Sequence, residues 1–339
     1  MNVLITSAGR RVSLLKAFQE AVHPQGVHVF AGDMDPLAPA LYTADHALRL
    51  PALADPDYID TVLDLVETHG IDLVVPTIDT ELGLLAKFAH RFEERGSRAL
   101  ISSEQMVRTC GDKWLTYKFF SENGICTPRT WLPESLLDQM WLISPGVAAE
   151  ISRTDSPERS GAPDGLYVKP RNGSASQNTH RASLKSLCSV LDVTPNPVVQ
   201  ENITAPEITI DALLDFKGRP LHYVPRLRLK AIGGESVQGV TIADDDIRDP
   251  VVHVLDALGA RGPITVQAFL TDDGPAFTEV NPRFGGGFPL THFAGGRYPE
   301  WIVRMLTGER IPQEFGGYRK RVYMMRHNVE QFTEQPLWQ

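Results

Sequence analysis

The sequence predicts an α/β protein with a Rossmann-like first domain, followed by an α+β part that contains antiparallel strands. One observation behind this prediction is that short apolar runs alternate with amphipathic stretches at the start of the chain. Another is that two pairs of extended segments turn at Lys217-Gly218 and at Asp272-Asp273-Gly274. The length of 339 residues also suits two or three subdomains better than one small core.

Strands and helices alternate along the first region. We predict strands at residues 3–6, 27–31, 73–76 and 99–101, and helices that end near residue 22 or cover residues 58–69 and 82–94. Because parallel strands are joined by helical crossovers, this order implies a parallel sheet with helices on both faces. We place this first domain at residues 1–105.

The rest of the chain mixes helices with antiparallel strand pairs. Predicted helices cover residues 105–123, 183–191, 249–258 and 298–306, and extended segments cover residues 128–131, 166–169, 198–201, 207–216, 221–229, 264–270, 276–280 and 321–326. Residues 144–165 carry many breakers and no periodicity, which predicts a mobile surface insertion. We place a small subdomain, with a linker helix and this insertion, at residues 106–200. A large subdomain with a C-terminal tail takes residues 201–339.

Composition narrows the class of protein. The net charge of −9 disfavours a nucleic-acid partner, because phosphate backbones require a basic surface. The three cysteines, Cys110, Cys126 and Cys188, are far apart and form no Cys-x-x-Cys pair, so reduced thiols are expected. No apolar run reaches membrane-spanning length, and no basic segment precedes the first strand. We therefore expect a cytoplasmic protein with no membrane partner.

One segment concentrates candidate chemistry, the run Phe-Thr-Glu-Val-Asn-Pro-Arg-Phe-Gly-Gly-Gly at residues 277–287. Glu279 and Asn281 are two apart on a predicted strand, so their side chains share a face. A carboxylate beside an amide oxygen can hold Mg²⁺. Arg283 can neutralise a transferring phosphoryl group, and the glycines let backbone approach an anion closely. The segment therefore suits a magnesium–phosphate complex.

Other segments fall into a recognisable order with this one. Lys113 lies in Gly-Asp-Lys, Lys169 ends a strand before a Gly/Ser loop, and Glu207 follows the strand end Gln200-Glu201. In this order the segments resemble the ATP-grasp superfamily, closest to its carbamoyl-phosphate-synthase-like branch of carboxylate ligases. The resemblance covers essentially the whole chain. It implies a pre-ATP-grasp domain at residues 1–105, followed by the two subdomains that clamp ATP.

The resemblance also implies a nucleotide site. Lys169 and the loop containing Ser174 would hold the α- and β-phosphates, and Lys113 would be a second phosphate-contacting lysine. The adenine would lie against the hinge of Gln200, Glu201, Asn202 and Ile203. Glu207 would accept the ribose hydroxyl protons.

The same resemblance implies a metal site and a substrate site. Gln267, Glu279 and Asn281 would bind Mg²⁺, with Mn²⁺ as a substitute. Arg283 and Lys169 would stabilise the acyl-phosphate transition state. Candidate substrate contacts are Arg226, Arg228, Gly286 and His292. A solvated strand face is the alternative for the two arginines, and a packed side chain is the alternative for the histidine.

The implied activity is the activation of a carboxylate. A carboxylate oxygen attacks the γ-phosphate of ATP to give an acyl phosphate and ADP, and an amine then displaces phosphate. We expect small-molecule carboxylate and amine substrates, with an amino acid or small peptide as the default by analogy, and a homodimer. Two alternatives stay open, an ATP-binding regulatory protein with a decayed metal site and a phosphorylation of bicarbonate or carbamate.

The first strand–turn–helix unit also invites a dinucleotide-binding hypothesis. Its turn carries one glycine, Gly9, where that fingerprint needs three, so we disfavour it. Asp33 and the loop at residues 76–81 follow predicted strands and could orient an acceptor. The preferred interpretation is that they cap helices, with Asp79 or Thr80 as an N-cap.

Overall fold

The computed structural model describes residues 1–136, 165–173, 177–232 and 235–338. The described residues form a five-stranded parallel sheet, a four-stranded antiparallel sheet and a six-stranded antiparallel sheet. Most of the predicted insertion at 144–165 lies outside the described residues. Within the described ranges, no helix is both long enough and apolar enough to cross a bilayer.

The parallel sheet belongs to the N-terminal region and has the strand order β3-β2-β1-β4-β5. Its strands are β1 (Asn2–Thr6), β2 (Val29–Asp33), β3 (His46–Arg49), β4 (Ile71–Pro76) and β5 (Arg98–Ala99). Its helices are α1 (Val12–Val22), α2 (Tyr58–His69), α3 (Asp79–Lys87) and α4 (Ala89–Glu93), with a 3₁₀ turn at His23–Gln25. The strand order reverses between β1 and β4, and crevices for ligands form where such a reversal occurs.

The four-stranded sheet has the order β6-β9-β7-β8. Its strands are β6 (Thr130–Trp131), β7 (Leu166–Pro170), β8 (His180–Ala182) and β9 (Pro197–Glu201). The helices α5 (Glu104–Cys110) and α6 (Lys113–Glu122) lead into this region, and α7 (Leu187–Val193) follows β8. A small core of Val168, Ala182, Leu187 and Val199 holds the sheet together.

The six-stranded sheet has the order β14-β13-β10-β11-β12-β15. Its strands are β10 (Glu207–Leu214), β11 (Pro220–Ile232), β12 (Glu235–Thr241), β13 (Gly262–Thr271), β14 (Gly274–Asn281) and β15 (Tyr323–Met325). Ile208 and Ile210 pack in the core with helix α8 (Arg248–Leu258), so the alternating residues Thr209 and Asp211 point to the opposite face. That opposite face forms the floor of the candidate site.

Two C-terminal helices join this sheet to the N-terminal region. They are α9 (Phe288–Ala294) and α10 (Tyr298–Leu306). Ile302 and Val303 of α10 lie in one core cluster with Leu14 and Leu15 of α1. The rings of Phe18 and Phe284 pack edge to face, with their centroids 5.8 Å apart. The N-terminal sheet and the large sheet therefore share a continuous apolar core.

Several predicted elements differ from those in the structure. The predicted helix at 82–94 is two helices, and the one at 105–123 breaks before Asp112, whose carboxylate accepts from Trp114 N at 3.0 Å and so caps α6. The strand predicted at 27–31 lies two residues later. The prediction missed β3, β8, β12 and α9, because these segments are short or have mixed polarity that gives no clear period.

The predicted helix caps in the N-terminal region are wrong. Helix α3 has Ile78 at its N-cap with no side-chain cap bond, and Asp79 is its first residue. Asp33 accepts from Gly9 N at 2.7 Å and from Asp35 N at 2.9 Å, so it fixes the β1–α1 turn and caps no helix. The residue type suits a cap, but Asp33 accepts from backbone N–H groups of nearby turns and Asp79 accepts from the side chain of Arg283.

Candidate active site

A cleft of about 540 Å³ lies between the four-stranded and six-stranded sheets, and we call it the inter-sheet cleft. Its lining contains most of the residues predicted to bind the nucleotide and two of the three predicted metal ligands, and they come from both sheets and from the start of α6. Those residues are Lys113, Lys169, Gln200, Glu201, Asn202, Ile203, Glu207, Gln267 and Glu279. Ser174 lies outside the described residues. Segments far apart in sequence thus meet around one cavity.

Lys169 lies at the buried end of β7 and is 7% exposed. Its Nζ donates to Gln200 Oε1 at 2.9 Å, and Gln200 Nε2 donates in turn to Thr130 Oγ1 at 2.9 Å. Burial lowers the pKa of Lys169 to about 8, with nearby Lys113 acting in the same direction and Glu279 opposing it. The amide of Gln200 therefore positions this ammonium, which an incoming anion would stabilise.

Lys113 and Glu207 occupy the inter-sheet cleft with partners already in place. Lys113 Nζ donates to Gly173 O at 2.8 Å, which ties the first residue of α6 to the loop after β7. Glu207 forms an ion pair with Arg228, and this pair lies on neighbouring strands of the large sheet. A ribose that binds Glu207 must therefore share it with Arg228 or displace that arginine.

The side chains of Gln200 and Glu201 in the hinge after β9 have partners within the protein. Gln200 is buried and accepts from Lys169, while Glu201 forms an ion pair with Arg129 at 3.1 Å. Asn202 N donates to Gly165 O at 3.3 Å. Two aromatic residues that the sequence analysis did not single out, Tyr167 and Phe269, also line the cleft.

The three candidate metal ligands lie on adjacent strands in matched register. Gln267 of β13 pairs with Glu279 of β14 in the ladder, and Asn281 Nδ2 donates to Glu279 Oε1 at 3.1 Å. Within the described ranges, no group of three or more His, Cys, Asp and Glu could hold a metal ion. The mixed set of one carboxylate and two amides supplies the oxygen donors that Mg²⁺ prefers, so its chemistry fits that ion.

A register shift in the β13–β14 ladder explains how β14 places side chains both in the core and in the candidate site. Gln267 pairs with Glu279, but the next residue, Ala268, pairs with Phe277. Thr278 is thus extra, and it changes the phase of the alternation. Phe277 and Val280 can both pack in the core, while Glu279 and Asn281 face the clefts.

A second cleft, of about 390 Å³, adjoins the first, and we call it the glycine-loop cleft. One wall is the turn after β4 together with the start of α1, and the other is the face of the large sheet with residues 285–287. Its polar lining includes Arg11, Asp79, Thr209, Arg226, Arg228, Gln267, Asn281 and Arg283. Gln267 and Arg228 line both clefts, so the candidate metal ligands Gln267, Glu279 and Asn281, which we call the metal set, lie at the junction of the two clefts.

Arg226 is buried beneath the glycine loop and is 3% exposed. Its Nε donates to Asp211 at 2.9 Å, and Asp211 also accepts from Thr265 at 3.0 Å and from Thr291 at 2.6 Å. Arg226 Nη1 is buried and has no hydrogen-bond partner within the described part of the chain. The solvated-face alternative for Arg226 is therefore wrong. The unpartnered Nη1 is compatible with a bound anion.

Arg283 is held by the N-terminal region. Its Nε donates to Asp79 Oδ1 at 2.8 Å and its Nη2 donates to Asp79 Oδ2 at 2.6 Å. Nη2 also lies 3.3 Å from Asn281 Oδ1. The proposed catalytic arginine thus contacts a metal-ligand candidate on one side and an acid of another domain on the other. No local pattern in the sequence indicates this partner, because Asp79 and Arg283 are 204 residues apart.

His292 does not reach either cleft. It lies on α9, with Nε2 3.3 Å from Glu20 of α1 and its ring against Phe288. The substrate role predicted for His292 is therefore not supported, and the packed alternative describes it better. Gly286, the other weak substrate candidate, does line the glycine-loop cleft.

Comparison with known proteins shows which protein families the chain resembles. A model described as "PylC-like, N-terminal domain" matches residues 3–100. A model described as "ATP-grasp in the biosynthetic pathway with Ter operon" matches residues 194–328. The formate-dependent phosphoribosylglycinamide formyltransferase of Flavobacterium psychrophilum is 24% identical over 300 residues, which is 84% of this chain and 70% of that relative.

Solved structures show the same fold. The biotin carboxylase domain of the Hydrogenobacter thermophilus 2-oxoglutarate carboxylase superposes with a TM-score of 0.71 at 16% identity, covering 95% of this chain and 73% of that chain. An L-amino acid ligase from Bacillus licheniformis superposes with a TM-score of 0.67 at 22% identity, covering 94% and 77%. These likenesses confirm the fold class that the sequence predicted.

The matched models and the similar proteins confirm the family resemblance and the cofactor expectation, ATP with Mg²⁺. The substrates of this class are small carboxylates and amines. The chain therefore belongs to the ATP-grasp superfamily and is an ADP-forming ligase of its carboxylate–amine type, with a PylC-like N-terminal domain.

Proposed function

We propose that the inter-sheet cleft binds MgATP and that the glycine-loop cleft binds the carboxylate that is phosphorylated. The observation that carries this proposal is the position of Gln267, Glu279 and Asn281 at the junction of the two clefts. A γ-phosphate held at that junction would face a carboxylate in the neighbouring cleft. In-line attack requires this kind of arrangement.

The nucleotide would be held mainly through its phosphates and its base. Lys169 and Lys113 supply positive charge on one side of the inter-sheet cleft, and Tyr167 and Phe269 supply aromatic surface. Glu207 is the candidate for the ribose, shared with Arg228. We place the boundaries of the subdomains that close on the nucleotide near residues 105 and 200.

Gln267, Glu279 and Asn281 are the residues that would hold Mg²⁺. The ion supplies charge neutralisation on the phosphates when bound. Asn281 must then turn its Oδ1 away from Arg283 Nη2, which lies 3.3 Å from it here. Arg283 would be freed on that side to neutralise the developing acyl phosphate.

The glycine-loop cleft suits an anionic substrate. Arg226 Nη1 is a buried cation edge with no partner in the described part of the chain, and the backbone of residues 285–287 lies directly over it. The similar L-amino acid ligase makes an amino acid the first substrate class to test. A homodimer stays a prediction that light scattering would check.

The two alternative functions are less well supported. In a regulatory protein with a decayed site, one of Lys169, Glu279 or Asn281 would be expected to have changed, but all three are present and line the clefts. Phosphorylation of bicarbonate would leave most of the volume of the glycine-loop cleft without a ligand. We therefore favour a larger carboxylate.

The test is a turnover assay with MgATP and a pooled library of amino acids and small carboxylic acids. ADP and phosphate with a product lighter by one water than its two precursors would support the ligase and identify both substrates by mass. Hydroxylamine, added in place of the amine, would trap an acyl phosphate as a hydroxamate. AMP with pyrophosphate would overturn the mechanism.

A further inference from the structure

Asp79 belongs to the N-terminal region, yet it lines the glycine-loop cleft. It is the first residue of α3, directly after the β4 turn, and its carboxylate lines the glycine-loop cleft. Both of its oxygens accept from Arg283, at 2.8 Å from Nε and 2.6 Å from Nη2. This is the two-pronged geometry with which an arginine binds a free carboxylate.

The Nε and Nη2 edge of Arg283 is therefore occupied by the protein itself. Its remaining nitrogen, Nη1, donates to Phe284 O at 3.1 Å. The Nε and Nη2 edge cannot hold the carboxylate of Asp79 and that of a substrate at the same time in bidentate fashion. A substrate carboxylate that uses this edge must first displace Asp79.

We propose that Asp79 is a specificity-determining residue that stands in for the donor carboxylate on Arg283 and is exchanged for it on binding. This proposal rests on the proposed function of the glycine-loop cleft. After the exchange, Asp79 remains in the cleft as a carboxylate without Arg283. Such an acid favours an ammonium group on the incoming molecule.

The substrate class that follows is a zwitterion, with a carboxylate for Arg283 and an ammonium for Asp79. A simple carboxylate must also displace Asp79 from Arg283, but it has no ammonium group to contact Asp79 afterwards. The pair therefore discriminates an α-amino acid from the matching unsubstituted acid. Asp79 would contribute this selectivity from the N-terminal domain, on the opposite wall of the cleft from the metal set.

The experiment measures protection of Arg283 against phenylglyoxal by peptide mass spectrometry, with L-alanine and propionate as the two probes. Wild type, Asp79→Asn and Asp79→Ala are compared. Asp60→Asn is the matched control, because Asp60 also lies in the first turn of a helix and pairs with Arg91 at 2.6 Å outside both clefts. Circular dichroism verifies that each variant is folded.

We expect alanine to protect Arg283 in wild type at a concentration about fivefold lower than propionate does. In both Asp79 variants, propionate should protect at a concentration at least about fivefold lower than in wild type, and the preference for alanine should vanish. The Asp60 variant should behave as wild type.

Unchanged protection curves in the Asp79 variants would overturn the exchange. Weaker protection by propionate would also overturn it, because Asp79 would then merely orient Arg283 for binding. If neither probe protects Arg283 in wild type or in any variant, the exchange is also overturned. The readout needs no turnover, so a failure of the ligase assay would count against the proposed function alone.

Discussion

At the scale of single residues, the site depends on how each charged group is partnered. Lys169 is a strand-end lysine in the sequence, but burial and the amide of Gln200 turn it into a fixed and partly desolvated cation. Arg226 and Arg283 are both paired with acids, and these acids lie 15 and 204 residues away in the chain. Their partners decide which guanidinium edge remains for a ligand.

The lowered pKa of Lys169 predicts that MgATP binding depends on pH. Below about pH 8 the free protein carries the ammonium, and above it the neutral amine dominates and must take up a proton to bind phosphate. We expect the dissociation constant of MgATP to be about tenfold weaker at pH 9 than at pH 7. Isothermal titration in buffers of different ionisation enthalpy would measure both the affinity and the proton uptake.

Lys169→Arg is the matched variant, because a guanidinium stays protonated over this range. Its affinity is expected to be lower at pH 7 but nearly independent of pH. A wild-type affinity that does not change between pH 7 and pH 9 would show that Lys169 does not contact the phosphates.

Glu279→Gln tests the metal set. Removing the only carboxylate of the three candidates should sharply raise the Mg²⁺ concentration that gives half-maximal turnover, because amides are weaker ligands. Asp273→Asn, in the exposed turn of the same hairpin, is the control and should leave the magnesium titration unchanged. Equal titrations for both variants would exclude Glu279 as a ligand.

At the scale of elements, β14 and the loop after it convert a sheet edge into a site. The extra residue Thr278 lets one strand pack Phe277 and Val280 while it presents Glu279 and Asn281. The loop that follows lies directly on side chains of the sheet. A Cβ at Gly285 would lie 2.6 Å from Thr265 Oγ1 and 2.9 Å from Asp211 Oδ1, and one at Gly287 would overlap the Arg226 guanidinium.

Gly287→Ala should therefore displace the loop or Arg226 and lower turnover by at least about tenfold, with the fold retained. Gly83→Ala is the control, since Gly83 lies within α3 and has no atom within 4 Å of an added Cβ. That control should keep its activity, and its free energy of unfolding should rise by up to about 1 kcal/mol. Full activity of Gly287→Ala would mean that the close approach has no role in the site.

At the scale of the whole molecule, the apolar core that joins the N-terminal sheet to α9 and α10 holds the two walls of the glycine-loop cleft in place. Ile302 is fully buried in this core beside residues of α1. A cavity there would weaken the contact between the regions as well as the local packing. Asp79 and Arg283 face each other only because this contact is maintained.

Ile302→Ala is expected to lower the free energy of unfolding by about 2–5 kcal/mol. Val193→Ala, at an exposed position, should change it by no more than about 0.5 kcal/mol. Urea unfolding followed by tryptophan fluorescence and by circular dichroism would measure both. Coincident curves for the wild type are expected from a shared core, and two separate transitions would contradict it.

Local patterns were enough for most of the fold and for part of the site. Helices α2 and α10 were predicted with the bounds they have, because their apolar residues recur with a clear helical period. The order of Lys169, Glu207, Glu279 and Asn281 was enough to identify the family. Segments with short or mixed patterns, such as β3 and β12, gave no such signal.

The sequence by itself determined the fold class and the ATP-grasp family, and it supplied the candidate metal ligands, because periodicity, spacing and order are local properties of the chain. Only the tertiary structure decided the register that aligns Gln267 with Glu279, the burial that lowers the pKa of Lys169, and the partners of Arg226 and Arg283. These properties depend on contacts between distant segments. A carboxylate at position 79 becomes part of the site only when packing between domains brings it to Arg283.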